Sequence, residues 1–184
     1  MRELELFIML KGIIEAAEPD FGIPQVAGAP GVLVQQSYQP TQQGVAVKPT
    51  AFLELIAQVR VGQPLREDFV DDDDNLIHRE TQQMITRFQV SALATQDPAS
   101  VTQLTAGDIV NSIAMILQNS QTVATLEAQG CGVLLDFVHR NPKFMDDRGR
   151  FEASPSFDFG ITHKLIVTRA QHVLQSTELD IYMI

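Results

Sequence analysis

The sequence predicts an α+β domain: a mainly antiparallel sheet of four to five strands, with helices packed on one face and a long projecting β-hairpin. Apolar residues recur at helical spacing in two regions and alternate with polar residues over long stretches elsewhere. The alternating stretches follow one another in consecutive groups, which favours antiparallel neighbours. With 184 residues, 45% of them hydrophobic and 20% charged, residues 1–184 have the composition of a single globular domain.

The first predicted element is an amphipathic helix over residues 2–17. Phe7, Leu10, Ile14 and Ala17 lie three or four residues apart, and the helix should end before Pro19. Residues 19–49 contain five prolines and a glutamine-rich polar run. This composition predicts a long connection, which is unusual inside a compact domain. Residues 51–184 then form the sheet-and-helix core.

Two alternating stretches follow the connection. From Ala51 to Val61 every odd-numbered residue is apolar, which is typical of a half-buried strand. A second stretch runs from about His78 to Ala94, and its length predicts an arm that extends beyond the sheet. Residues 62–75 between them form either the end of a long hairpin with an acidic tip or a wide loop.

The second helical region begins at Thr105, which can cap a helix whose first turn contains Asp108. Asn119 is expected to divide it from a second short helix that ends at Gly130. A buried strand over 131–138, an alternating strand over 157–168, a turn near 169–172 and a last strand over about 176–183 complete the chain. The apolar face of the sheet, expected to pack on the helices, comprises Leu53, Leu55, Val59, Phe88, Val90, Phe159, Ile161 and Leu165.

A search for catalytic, cofactor and metal sites predicts none. The chain has no nucleophile elbow, phosphate-binding loop or dinucleotide fingerprint. The histidines His78, His139, His163 and His172 lack common zinc spacing, and His163 reads as a hydrogen-bonded core or interface imidazole. Cys131 reads as a buried, inert thiol. We therefore expect no enzyme activity.

The acidic run Asp71, Asp72, Asp73 and Asp74 raises the possibility of a calcium site. The helix-loop-helix calcium pattern fails, because Leu76 stands where glycine is required and Gln82 stands where the bidentate acid belongs. Clustered like charges repel one another and stay hydrated, so a solvated acidic loop is the favoured interpretation.

Charge and hydropathy narrow the possible partners. Thirteen basic and 23 acidic residues give a net charge of −10, which opposes tight binding to nucleic acid. No apolar run is long enough for a membrane span, and the N-terminus does not resemble a signal peptide. The single cysteine excludes a disulfide framework within one chain and fits a reducing compartment.

The layout of the chain resembles the neck and tail terminator proteins of tailed bacteriophages, of the phage lambda type. The resemblance lies in the N-terminal helix, the long connection, the paired strands and the C-terminal residues 157–168 and 176–181. The resemblance implies a small α+β subunit that assembles into a six-fold ring on the end of the tail tube and docks to the head-side connector. It carries no catalytic motif.

The same resemblance implies the partners and location of the protein. They are further copies of itself in a hexamer, the tail tube protein, the connector or adaptor protein and genomic DNA that passes without specific binding. The protein would lie in the virion neck or tail, and in the host cytoplasm during assembly. The residues Asp71 to Asp74 would face the channel or solvent. Two alternatives remain open: a head-completion or adaptor protein on the portal, and a small cytoplasmic enzyme with a dispersed active site.

Overall fold

The computed structural model describes residues 1–23, 25, 30–37, 48–94, 103–134, 138–145, 151–153 and 155–171. Within them, seven strands and three α-helices follow one another in the order α1 (Glu3–Ala17), β1 (Leu33–Gln36), β2 (Thr50–Val70), β3 (Leu76–Leu93), α2 (Ala106–Gln118), α3 (Ser120–Ala128), β4 (Gly132–Leu134), β5 (Lys143–Met145), β6 (Phe151–Ala153) and β7 (Ser156–Gln171). Five strands form one sheet in the order β1-β2-β3-β7-β4, and β5 pairs with β6 separately. The pairing of β1 with β2 is parallel and the other pairings in the large sheet are antiparallel. The predicted α+β class is confirmed.

Helix α1 begins and ends where its sequence predicts. At its start the Glu5 carboxylate accepts a hydrogen bond of 2.7 Å from the backbone N–H of Arg2, which satisfies one of the free donors of the first turn. Leu6, Leu10 and Ile14 form its buried face. A short 3-10 helix, Glu18–Phe21, continues from it, because Pro19 lacks an N–H and is tolerated only in a first turn.

The connection over 19–49 contains more structure than its composition predicts, because β1 lies within it and pairs with the start of β2. The buried Glu18 carboxylate holds the chain just before β1, accepting hydrogen bonds from the N–H groups of Gly31 at 2.8 Å and Val32 at 3.4 Å. Lys11 Nζ donates to the carbonyl of Val34 at 2.9 Å. Burial raises the pKa of Glu18. A strand of four residues between prolines and glycines is too short for its alternation to be recognised.

Strands β2 and β3 form a hairpin that pairs from Thr50 with Leu93 to Val70 with Leu76. Of the two interpretations of residues 62–75, the hairpin with an acidic tip is the one observed. Two irregularities interrupt the pairing, one between Leu55 and Ala57 and one between Val61 and Leu65. Because β3 also pairs with β7 without a register shift, all three strands continue together toward the tip.

The predicted apolar face is wrong at Val59, because β2 contains an irregularity at Ile56. Leu55 lies opposite Phe88 and Ala57 opposite Arg87, so Ile56 is an extra residue in β2. One extra residue exchanges the two faces of a strand, because side chains alternate with a period of two. Val59, predicted to pack on the helices, therefore lies on the other face of the sheet and is 47% exposed.

The rest of the predicted face packs mainly as expected. Phe88, Val90, Phe159 and Ile161 are fully buried with Leu53, whereas Leu55 and Leu165 are half-buried. Helices α2 and α3 cover this face through buried apolar residues: Ile109, Val110, Ile113, Ile116, Leu117 and Leu126.

Both caps of the second helical region are formed as predicted. Thr105 Oγ1 accepts a hydrogen bond from the N–H of Asp108 at 3.1 Å, and the Asn119 side chain accepts one from the N–H of Gln121 at 3.0 Å. These bonds start α2 and α3 respectively.

The C-terminal strands differ from the prediction in three places. The described part of the predicted buried strand over 131–138 forms only the short β4, and Val138 is 60% exposed. The turn expected near 169–172 is wrong for residues 169–171, which continue β7 because they pair with Leu76 to His78. The predicted last strand over 176–183 lies outside the described residues.

Candidate interaction surface

The distal halves of the long strands extend past the helical layer. We call the three-stranded unit formed by Ala57–Ile85 and Thr162–Gln171 the arm. Its two faces follow from the register, since even-numbered residues of β3 share the face that the helices cover nearer the core, and odd-numbered ones lie on the opposite face. We call these the inner and outer faces of the arm.

The inner face carries a cluster of cross-strand charges. Asp68 lies directly opposite His78, with Oδ1 2.6 Å from Nδ1, and Arg66 lies opposite Glu80, with Nε 3.4 Å from Oε1. His78 Nε2 is also 3.3 Å from the Glu80 carboxylate. The hydrogen bond to Asp68, followed by that to Glu80, raises the pKa of His78. The cluster joins β2 to β3 near the tip.

Val70 and Val167 are exposed on the inner face, but the outer face carries more exposed aliphatic side chains. Four of them are between 42% and 59% exposed: Val59, Val61, Leu65 and Ile166. Nearer the tip, the Arg79 guanidinium lies 4.5 Å from the centre of the Phe69 ring, a cation–π distance. Such a concentration of exposed apolar side chains on one sheet face is typical of an interaction surface.

The predicted acidic residues lie at the tip of the arm. Asp72, Asp73 and Asp74 are exposed, whereas the Asp71 carboxylate shapes the turn by accepting hydrogen bonds from the N–H groups of Asp73 at 3.0 Å and Asn75 at 2.8 Å. These bonds, with the Asn75 backbone contributing most, lower the pKa of Asp71. Asp74 has a φ of 59°, a left-handed conformation that aspartate tolerates in turns. One of the four acidic residues therefore has a structural role.

Within the described residues, both lateral edges of the arm lack a strand partner over most of their length, and the N-terminal amino group of Met1 donates a hydrogen bond of 2.6 Å to the Lys164 carbonyl. Strand β1 pairs only with Thr50 to Leu53 of β2, and β4 pairs only with Gly160 to Thr162 of β7. The rest of each edge strand has no strand neighbour in the described part of the chain. Unpaired edges are sites at which another chain can add a strand.

A groove of about 660 Å³ lies between α1 and α3, on the solvent side of the helical layer. Ile8, Met9 and Ile13 give it an apolar floor beside Gly12. Glu5 and Asp20 are its acidic lining residues, and no lysine or arginine lines it. Ile8 is exposed, so this floor is open to a partner.

The remaining candidate side chains include a buried histidine and a buried cysteine. His163 is buried, with Nε2 2.8 Å from Thr86 Oγ1, which confirms its prediction as a hydrogen-bonded core imidazole. Burial lowers the pKa of His163 and raises the pKa of the Cys131 thiol, which is buried as predicted. His139 lies 5.4 Å from the Phe157 ring centre, and His172 lies outside the described residues.

Two broader findings concern the same described residues. No three or more histidine, cysteine, aspartate or glutamate side chains among them are grouped to hold a metal ion. None of the helices described has the length and apolarity needed to cross a membrane.

The sequence did not reveal the outer face or the groove as surfaces. The alternation from Ala51 to Val61 points to one continuous buried face, and only the extra residue Ile56 turns Val59 and Val61 outward. The exposed position of Ile8 and Leu4 on α1 is hidden in the sequence by the broad apolar stripe of that helix. The arm itself was predicted, from the length of the alternating stretch between His78 and Ala94.

A family model described as E217 gateway protein gp29 matches residues 5–173. Among solved structures, the chain is similar to a protein from the cryo-EM structure of an extracellular contractile injection system, the PVC sheath/tube terminator in its extended state, with a TM-score of 0.52 and 8% identity. The match covers 100% of this chain and 65% of that one, and at this identity it concerns the fold. No curated protein matches the sequence.

Proposed function

Because the chain belongs to the family of the E217 gateway protein gp29, a bacteriophage family of the neck and tail terminator type, we propose that it forms a homohexameric ring. In this proposal the ring is a structural part of the virion that ends the tail tube and joins it to the head-side connector. The family match bears out the resemblance to phage neck and tail terminators. The protein acts in the neck or tail of the virion and passes through the host cytoplasm during assembly.

The arm, with its two largely unpaired edges, is the observation that supports a ring. An exposed edge strand promotes uncontrolled association unless it is covered. A closed ring of identical subunits covers every such edge by the same contact, whereas a monomer leaves all of them exposed. The partners of the ring are the tail tube protein on one side and the connector or adaptor protein on the other. Its role is mechanical, with neither a cofactor nor a catalytic step.

The charge of the chain supports a channel through which DNA passes without being held. A net charge of −10 repels phosphate, and the exposed Asp72 to Asp74 concentrate this charge at the arm tip. Four adjacent carboxylates are unsuited to a subunit contact without counter-charges, since burial would cost several kcal/mol per ion. We therefore place Asp71 to Asp74 on the channel or solvent side of the ring.

Mass measurement tests the ring. Native mass spectrometry or light scattering of the purified protein should give six chains of 20.4 kDa, and electron micrographs should show six-fold rings. A chain that stays monomeric at every concentration, both alone and with tail tube protein, would contradict the proposal. Binding to the portal in preference to the tube would favour the adaptor alternative.

A charge exchange tests the channel placement. Replacing Asp71 to Asp74 together by Asn removes four charges while keeping the side-chain oxygen that shapes the turn. The ring should still form and should retain more DNA at low salt, with little difference at high salt, because only the screened electrostatic interaction changes. A control with Glu3→Gln and Glu127→Gln removes exposed charge from the helical layer, away from the groove, and should not alter DNA retention. Failure of the Asn variant to assemble would instead place the tip in a subunit contact.

A further inference from the structure

We propose that the outer face of the arm of one copy docks into the α1–α3 groove of the next copy. This inference rests on the proposed ring and names a pair of surfaces that holds neighbouring copies together in addition to the strand edges. The occupant of the groove is thus a second copy of this chain, presenting the aliphatic residues Val59, Val61, Leu65 and Ile166.

The outer face of the arm and the α1–α3 groove carry opposite charges. Between its base and the acidic tip, the outer face of the arm carries two basic residues, Arg79 and Lys164, and one acidic residue, Glu67. A third basic residue, Arg87, lies on the same face at the base of the arm, opposite Ala57. The groove carries Glu5 and Asp20 and no basic residue. In a chain with a net charge of −10, two average surfaces repel each other, whereas these two attract.

The spacing of these charges agrees between the two surfaces. Glu5 and Asp20 lie at opposite ends of α1 and its 3-10 extension, about 22 Å apart at the rise of a helix. Arg87 and Arg79 lie eight residues apart on one extended strand, about 26 Å at the rise of a strand. The aliphatic side chains of the arm lie between these two arginines, as the apolar floor of the groove lies between its two acids.

The position of the two surfaces requires the contact to be between different copies. The groove opens on the solvent side of the helical layer, and the outer face belongs to the side of the sheet opposite those helices. An arm therefore cannot reach the groove of its own chain. A contact between two different surfaces is heterologous, and such contacts generate closed rings when their rotation closes.

The groove also permits close approach by a flat sheet. Nothing lies within 4 Å of the position that a Cβ atom would occupy on Gly12, in the middle of the groove wall. Side chains from the arm can therefore come close to the backbone of α1 at this point. The apolar floor around Gly12 would lose water on docking, which supplies the main driving force.

Cysteine cross-linking tests the contact directly. Ile8→Cys places a thiol in the groove and Leu65→Cys places one on the arm, while the native Cys131 is buried. With a short bis-maleimide, the chain carrying both changes should give a ladder up to the full ring. A mixture of the two single variants should give only a dimer of one chain of each kind. Each single variant alone should give no cross-link. Replacing Leu65→Cys by Val138→Cys, on an equally exposed apolar residue outside the arm, should abolish the ladder.

Charge reversal supplies the second test. Arg87→Glu with Lys164→Glu should weaken association at least about tenfold, because like charges would face each other, and Asp20→Lys should restore part of the loss. A ring that forms normally, with neither a ladder nor a response to charge reversal, overturns this contact and leaves the ring intact. Self-cross-linking of a single variant also overturns it, by indicating a symmetric contact. Absence of any ring in the unmodified protein would instead remove the proposed function itself.

Discussion

The Phe159→Ala exchange tests whether the centre of the sheet supplies the stability of the domain. Phe159 is 2% exposed, and its ring centre lies 5.6 Å from that of Phe88 and 6.0 Å from that of Phe157. Removing a buried aromatic side chain costs about 3–5 kcal/mol in free energy of unfolding, and each lost ring pair accounts for about 0.5–1.5 kcal/mol of it. Because Phe159 pairs directly with Phe88, about 0.5–1.5 kcal/mol of the loss should be shared with that residue.

Urea unfolding, followed by circular dichroism at several protein concentrations, measures this loss and separates it from ring dissociation. The cycle of Phe159→Leu, Phe88→Leu and the double exchange should give a coupling of about 0.5–1.5 kcal/mol. Val167→Ala, on an exposed part of the same strand, is the matched control and should cost less than about 1 kcal/mol. A loss below about 1 kcal/mol for Phe159→Ala would show that this face is not the core.

Three further predictions concern ionisable residues. Burial lowers the pKa of His163 below its ordinary value of 6.5, so the unfolded chain takes up a proton there before the folded chain does as the pH falls. The free energy of unfolding should therefore fall as the pH drops below about 6.5. Urea titrations at pH 7 and pH 5.5 should show a smaller fall for His163→Gln than for the unmodified protein. Burial raises the pKa of Glu18, so the free energy of unfolding falls as the pH rises above the unfolded value of 4.5. At neutral pH, Glu18→Gln keeps an acceptor oxygen and should unfold at a higher urea concentration than Glu18→Leu, which leaves two backbone donors unpaired. Equal urea midpoints for the two variants would refute this role of Glu18. At the arm tip, Asp71→Ala should speed amide exchange at Asn75, whereas Asp72→Ala should not, because only Asp71 accepts the hydrogen bonds of the turn; equal exchange in both variants would contradict this.

Local patterns in the sequence predicted most of the fold. The helical spacing of α1 and the caps at Thr105 and Asn119 depend on neighbours a few residues away, so their positions follow from the sequence. The pairing of β1 with β2 does not, because it joins residues about 17 apart across the connection. The continuation of β7 to Gln171 is likewise decided by pairing with β3, whereas the local sequence suggests a turn.

The candidate surfaces were harder to predict than the fold. Val59 and Val61 have the residue types and spacing of core positions, and their exposure depends on a single extra residue in β2. The acidic tip was recognised from composition, but the role of Asp71 in the turn depends on the local backbone geometry. The groove depends on how α1 and α3 pack, which periodicity within each helix does not reveal.

The extra residue at Ile56 makes the tolerance of β2 to insertions and deletions uneven. Deleting Ile56 would remove the irregularity and still leave Leu55 opposite Phe88 and Ala57 opposite Arg87, so every side chain beyond it would keep its face. Deleting one residue between Ala57 and Val61 would turn the rest of β2 over and move its aliphatic side chains to the inner face. Among related sequences, deletions of a single residue should therefore occur at position 56 and be absent between positions 57 and 61.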